Sequence, residues 1–180
     1  PPPTQPYAGH GTHCAGIAAA VTNNDIGVAG VSWNCQFMSV KIKPDNSPWF
    51  TESYKGIVYA AENGADIISC SFGSFTYSRF RQEIIEYVHS LGVIVVAAAG
   101  NENHTGLLYP ASYEQVVSVA SVHIDDSIPK YSFKHAAVDI SAPGGDGHDR
   151  IYSTIPENSY QRYSGTSMAT PVVAGVCGLV

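Results

Sequence analysis

The run GVIVVAAAG, residues 92–100, leaves the chain few folds to choose from: it is too apolar for either side to face water and far too short to cross a membrane. A strand of this kind is buried on both faces, which places it inside a parallel sheet covered by helices. Comparable runs recur as FMSVKI (37–42), DIISCS (66–71), VVSVAS (116–121) and AVDISAP (137–143), each bounded by polar or glycine-containing stretches, and all read as buried strands. Between the first three runs in chain order lie two segments with helical spacing. ESYKGIVYAAENG puts Tyr54, Ile57, Val58 and Ala61 on one face, and RFRQEIIEYVHSLG does the same with Phe80, Ile84, Tyr87, Val88 and Leu91. Each segment ends near a glycine, Gly64 or Gly92, as a helix C-terminus does. The alternation predicts an α/β fold in three layers, a mainly parallel β-sheet flanked by helices on both faces.

With 180 residues, 44% of them hydrophobic, the chain can bury one sizeable core. Only 13% are charged and the net charge is -6, so there is no basic patch for nucleic acid. No apolar run approaches the roughly 18 residues of a membrane span. The four cysteines, Cys14, Cys35, Cys70 and Cys177, sit among small or apolar neighbours without C-x-x-C spacing, which favours free thiols over a zinc or redox site. The chain opens on PPPTQP and stops inside the apolar run PVVAGVCGLV, so residues 1–180 are expected to be part of a longer domain.

In parallel sheets the reactive groups gather at the carboxyl ends of the strands, where loops lead into helices. Three such places stand out: GHGTH before the first helix, AAAGNEN after the third strand and SGTSMATP before the last helix. Ser167, in YSGTSMATP, has two readings. It is a helix cap, or it is a nucleophile whose oxyanion the free N–H groups and dipole of the helix N-terminus would stabilise. Pro171 suits the first helical turn under either. His10, between glycines and ahead of an Ala-rich helix, is a candidate base for a hydroxyl that is barely nucleophilic at neutral pH. As a metal pair, His10 and His13 lack both the spacing of four and the intervening Glu of H-E-x-x-H. Asn101 supplies an amide able to donate to a developing oxyanion.

Taken together, GHGTHCAG, SCSFG, AAAGNEN, LYPASY and SGTSMATP resemble, in order and interval, the blocks of the subtilisin-like serine proteases, over essentially the whole chain. The resemblance implies a serine endopeptidase in which His10 is the general base, Asn101 the side-chain oxyanion donor and Ser167 the nucleophile. It also implies that Ser71, Phe72 and Gly73 pair with an extended substrate backbone, while Ala98, Ala99 and Gly100 line the primary specificity pocket. A pocket with small uncharged walls is expected to prefer a large apolar residue before the scissile bond, with Glu102 at its rim and Leu108 making it shallower. Protein or peptide substrates, a secreted monomer and no nucleic acid follow from the same likeness. The loop TNNDIGVAG resembles a calcium loop of bacterial members, with the side chain of Asn24 and the carbonyls of Thr22, Ile26 and Val28 as oxygen ligands. Cys14, four residues beyond His10, matches proteinase K-like members and is expected beneath the site. Met168, beside Ser167, is expected to make activity oxidation-sensitive.

The pattern breaks in one place. The family's catalytic aspartate lies upstream of the histidine, and no acidic residue precedes His10; Asp25, Asp66 and Asp139 do not match its block. No triad aspartate is assigned, and this polypeptide alone is expected to be nearly inactive. Two smaller departures are Val172, where many relatives have histidine, and Ala8, where asparagine is frequent. An α/β-hydrolase esterase would need its acid and histidine after the serine, and Met168 to Val180 contains neither. A subtilisin-like domain acting only as a binding or scaffolding module stays open because of the missing aspartate.

Overall fold

A computed structural model describes residues 9–44, 52–101 and 106–180. In chain order the elements are α1 (Gly9–Ala19), α2 (Ser53–Glu62), β1 (Ile67–Cys70), α3 (Arg79–Ser90), β2 (Ile94–Ala98), β3 (Val116–Val122), β4 (Ile140–Pro143), β5 (Ile151–Ile155), β6 (Ser159–Tyr163) and α4 (Thr166–Cys177). Strands β1 to β4 form a parallel sheet in sequential order, with Ile67 opposite Ile94, Val95 opposite Val116 and Val119 opposite Ile140. β5 and β6 form a separate antiparallel hairpin.

Successive side chains of a strand point to opposite faces, and β2 shows what that does here. Val95 and Ala97 enter one core with Ile57 of α2 and with Ile85 and Val88 of α3. Val96 enters the other, with Ala169, Val173 and Ala174 of α4. Helices thus cover both faces, and the three-layer α/β architecture read from the apolar runs is the one observed. Gly64 and Gly92 end α2 and α3 at φ of +88° and +84°, a backbone region that glycine enters without steric cost. All four cysteines are free.

Two expectations need correction. FMSVKI is not a strand: residues 37–42 are irregular, with Phe37 and Met38 exposed, because among the described residues no strand lies beside them and β1 pairs only with β2. The segment lies instead along α2, where a Cβ on Gly56 would come within 2.5 Å of Ile42 Cγ2. The buried stripe of α3 is also shifted. Gln82, Ile85 and Val88 face the core, whereas Phe80, Tyr87 and Leu91 are exposed. Gln82 tolerates burial because its amide bonds the Glu114 backbone in both directions, accepting from the N–H at 3.1 Å and donating to the carbonyl at 3.4 Å.

Candidate active site

All three groups singled out come from the carboxyl edge of the sheet or a helix N-terminus. Asn101 follows β2, Ser167 is the second residue of α4, and His10 is the second residue of α1, so GHGTH forms the opening of that helix instead of preceding it. His10, Asn101 and Ser167 share one cavity of about 370 Å³, whose wall is completed by Arg150, Arg162, Tyr163, Ser164 and Met168.

Ser167 does not cap its helix. The N-cap position is Gly165, at φ 145°, and the Ser167 hydroxyl donates across to the carbonyl of Ser71 at 3.4 Å. Glycine at 165 leaves room for the amide of Asn101, whose oxygen and nitrogen would both lie 3.3 Å from a Cβ placed there. Thr166, fully buried, ties the two loops together. Its N–H and hydroxyl both donate to Asn101 Oδ1, at 2.7 and 2.9 Å, and its hydroxyl oxygen accepts from the Gly100 N–H at 3.2 Å.

Pro171 sits well inside α4, not in its first turn, and its missing N–H has a visible effect. The Ser167 carbonyl, four residues earlier, has no helical donor. The Ser71 hydroxyl at 2.8 Å and the Cys14 thiol at 3.4 Å donate to it instead. Cys14 therefore does lie beneath Ser167, and burial raises its thiol pKa to about 11.

Around His10 the dielectric is low. Burial pushes its pKa below the ordinary 6.5, and the neighbouring charge of His13 adds to the shift. His13 is fully buried, stacks on Tyr163 with ring centroids 4.4 Å apart, and shares a hydrogen bond of 2.9 Å between Nε2 and the Gln161 carbonyl. Burial lowers its pKa too, against the carbonyls of Gln161 and Ile151, and its buried Nδ1 has no hydrogen-bond partner within bonding distance among the described residues. No hydrogen bond joins His10 to Ser167 or to a carboxylate among the described residues. Asp66 and Asp139 stand at the amino ends of β1 and β4, away from the cavity, where the Asp139 carboxylate accepts from the Ser118 N–H at 2.8 Å.

The remaining expected site residues adjoin this cavity or lie in other segments. Ala98, Ala99 and Gly100 are buried and do not line this cavity. Phe72 packs at the edge of the first core, and a Cβ on Gly73 would come within 2.6 Å of Leu108 Cγ. Glu102 and Ala8 lie outside the described residues. In the loop after α1, Asn23, Asp25 and Gly27 alternate in positive φ, and Asn24 Oδ1 accepts from the Ile26 N–H at 3.1 Å. Among the described residues no group of three or more His, Cys, Asp or Glu side chains is placed to hold a metal.

The hairpin went unnoticed in the sequence although it supplies three residues of the cavity wall, Arg162, Tyr163 and, just before β5, Arg150. The signal was the turn Pro156-Glu157-Asn158, whose last two residues take positive φ.

A serine hydroxyl, an imidazole and a carboxamide around one cavity on a parallel α/β sheet are the groups that the class of serine acyl-transfer proteins uses. The comparisons name the family. The profile of the subtilase family, Peptidase_S8, matches residues 1–180, and the chain belongs to that family. Thermitase of Thermoactinomyces vulgaris is 45% identical over 173 residues, which is 96% of this chain and 61% of thermitase. The halolysin-like extracellular serine protease Nep of Natrialba magadii is 37% identical over 99% of this chain and 32% of its own length. A solved structure of a protease from Pseudoalteromonas arctica PAMC 21717 superposes with a TM-score of 0.86 at 35% identity, covering 94% of this chain and 57% of that one. The chain thus spans about three fifths of thermitase and of the Pseudoalteromonas protease structure.

Proposed function

We propose that the protein is a subtilisin-like serine endopeptidase and that this chain supplies its nucleophile, base and oxyanion site. The shared cavity of His10, Asn101 and Ser167 carries the reading. Neutral His10 takes the hydroxyl proton as Ser167 Oγ attacks a peptide carbonyl carbon, and the carbonyl π electrons move onto oxygen. That oxyanion is met by Asn101 Nδ2 and by the backbone N–H of Ser167 in the unpaired first turn of α4. On collapse, the C–N bond breaks and the imidazolium returns the proton to the leaving amine. Water then repeats the sequence on the acyl-enzyme. The carboxylate that orients the imidazole is to come from outside the described residues.

Substrates are proteins or peptides held by their backbone at Ser71 to Gly73, with a preference for a large apolar residue before the scissile bond. We place the protein outside the cell, as a monomer. Calcium at Thr22, Asn24, Ile26 and Val28 fits incompletely: a hard cation takes roughly six to eight oxygens, and this set offers one side-chain oxygen, that of Asn24, already accepting from the Ile26 N–H, and carbonyls. The ion would need ligands from elsewhere, and a rise in melting temperature with calcium that Asn24→Ala abolishes is the expected result.

The test is reaction of the full-length protein with a fluorophosphonate, followed by mass spectrometry. Labelling at Ser167 that disappears in His10→Ala is expected. A folded protein that stays unlabelled would instead be a subtilisin-shaped binding module.

A further inference from the structure

Arg150 and Arg162 stand in the wall of the same cavity, and the proton transfers just described use neither. The chain has only four arginines and a net charge of -6, so two guanidinium groups beside the nucleophile make a local positive field against the charge of the whole. Neither is in an ion pair among the described residues. Arg162 is braced along the hairpin: its Nη1 donates to the Arg150 carbonyl at 2.9 Å and its guanidinium carbon lies 5.2 Å from the ring centre of Tyr152. Four of its five N–H donors remain. The carboxylate next in sequence to Arg150 is committed elsewhere. Asp149 accepts from the N–H of Asp146 at 2.6 Å and of Ile124 at 3.1 Å, and meets His123 Nδ1 at 3.0 Å. These bonds hold the chain just before Arg150, and among the described residues its guanidinium makes no ion pair with that carboxylate.

The direction of the substrate follows from the chemistry. The base that deprotonates Ser167 must also protonate the leaving amine, so the residues after the scissile bond depart on the side of His10. Helix α1, which carries His10, is bonded to the hairpin: the Ser153 hydroxyl donates to the His13 carbonyl at 2.8 Å and the Thr154 hydroxyl to the Thr12 carbonyl at 3.0 Å. The acyl side is assigned to the ends of β1 and β2. We propose that Arg150 and Arg162 form a subsite for an acidic side chain, Asp or Glu, in the first or second residue after the scissile bond. This rests on the endopeptidase reading.

Internally quenched peptides that differ only in Glu, Gln or Lys at those two positions test it on the full-length protein. The ratio of kcat/KM for Glu over Gln is expected at about two- to fivefold, the range of a solvent-exposed ion pair, and it should shrink as salt is added. Arg150→Gln and Arg162→Gln should each bring the ratio toward one, and Arg162→Glu should turn the preference toward Lys. A ratio of one in the wild-type protein at low salt, or a ratio that neither arginine substitution moves, overturns the subsite. The two readings fail separately. Absence of fluorophosphonate labelling sinks the endopeptidase, whereas labelling and cleavage without charge preference sinks only the subsite.

Discussion

Asn101 Oδ1 accepts two hydrogen bonds from one residue, the N–H of Thr166 at 2.7 Å and its hydroxyl at 2.9 Å. A backbone N–H can only donate, so the amide atom facing it must be the oxygen. The Asn101 nitrogen is thereby turned the other way, and among the described residues it donates no hydrogen bond. Thr166→Val keeps the shape and the N–H tether but removes the hydroxyl, so Asn101 loses one of its two donors and the buried Gly100 N–H loses its acceptor. We expect a stability loss of about 1–3 kcal/mol and a fall in kcat with little change in KM, read from urea unfolding and steady-state kinetics. Unchanged kcat would show that the hydroxyl tether on Asn101 does not matter to the reaction and that the N–H of residue 166 holds the amide by itself.

Gly16 marks where α1 meets the hairpin. A Cβ there would lie 2.3 Å from Thr154 Oγ1 and 2.5 Å from Ser153 Oγ, the two hydroxyls that tie the hairpin to the helix. Gly16→Ala must therefore push the elements apart, at about 1–3 kcal/mol. Because α1 also carries His10, the fluorophosphonate labelling rate should fall along with the melting temperature. A variant with native melting behaviour would refute the contact.

Acid should weaken the fold through two histidines, buried His13 and half-buried His10. His10 and His13 both have folded pKa values below 6.5, so between that value and the lower folded ones the unfolded chain binds more protons. Their contribution is complete above 6.5 and is lost as pH falls below it. The urea midpoint should hold above about pH 6.5, the ordinary histidine pKa, and drop as the pH falls below it, and His13→Phe should flatten the drop. A midpoint that holds steady below that pH contradicts this.

Thiol chemistry should discriminate among the cysteines. Burial holds the pKa of Cys14 at about 11 and of Cys70 at about 12, whereas Cys35 is exposed. Iodoacetamide at about pH 8, where a buried thiol carries almost no thiolate, should modify Cys35 and spare the other two. Peptide mass spectrometry decides it, and equal modification of Cys14 and Cys35 would be the contrary result.

The sheet was legible in the chain because its strands are buried on both sides and so are apolar throughout. DIISCS, GVIVVAAAG, VVSVAS and AVDISAP became β1 to β4 within a few residues. FMSVKI has the same composition but pairing needs a neighbour, and composition carries no information about neighbours. The hairpin failed for the opposite reason. Ile151 to Tyr163 mixes Tyr, Ser, Gln and Arg at both phases of the alternation, because its partners are helix carbonyls and a cavity wall. At the site, residue types in three separated motifs were enough to suggest which groups meet. The tethering of Ser167 was not legible, since the link between Pro171, Ser71 and Cys14 exists only once three distant segments touch one carbonyl.

That carbonyl has a bearing on when the protein comes to life. Its two donors stand 96 and 153 positions earlier in the chain, so both leave the ribosome well before the residue they hold. A nascent chain has α1 and β1 in hand while α4 is still unmade. The hydroxyl is set in place only when α4 docks, so a chain that has not yet folded around that carbonyl does not yet present the proposed nucleophile in its site.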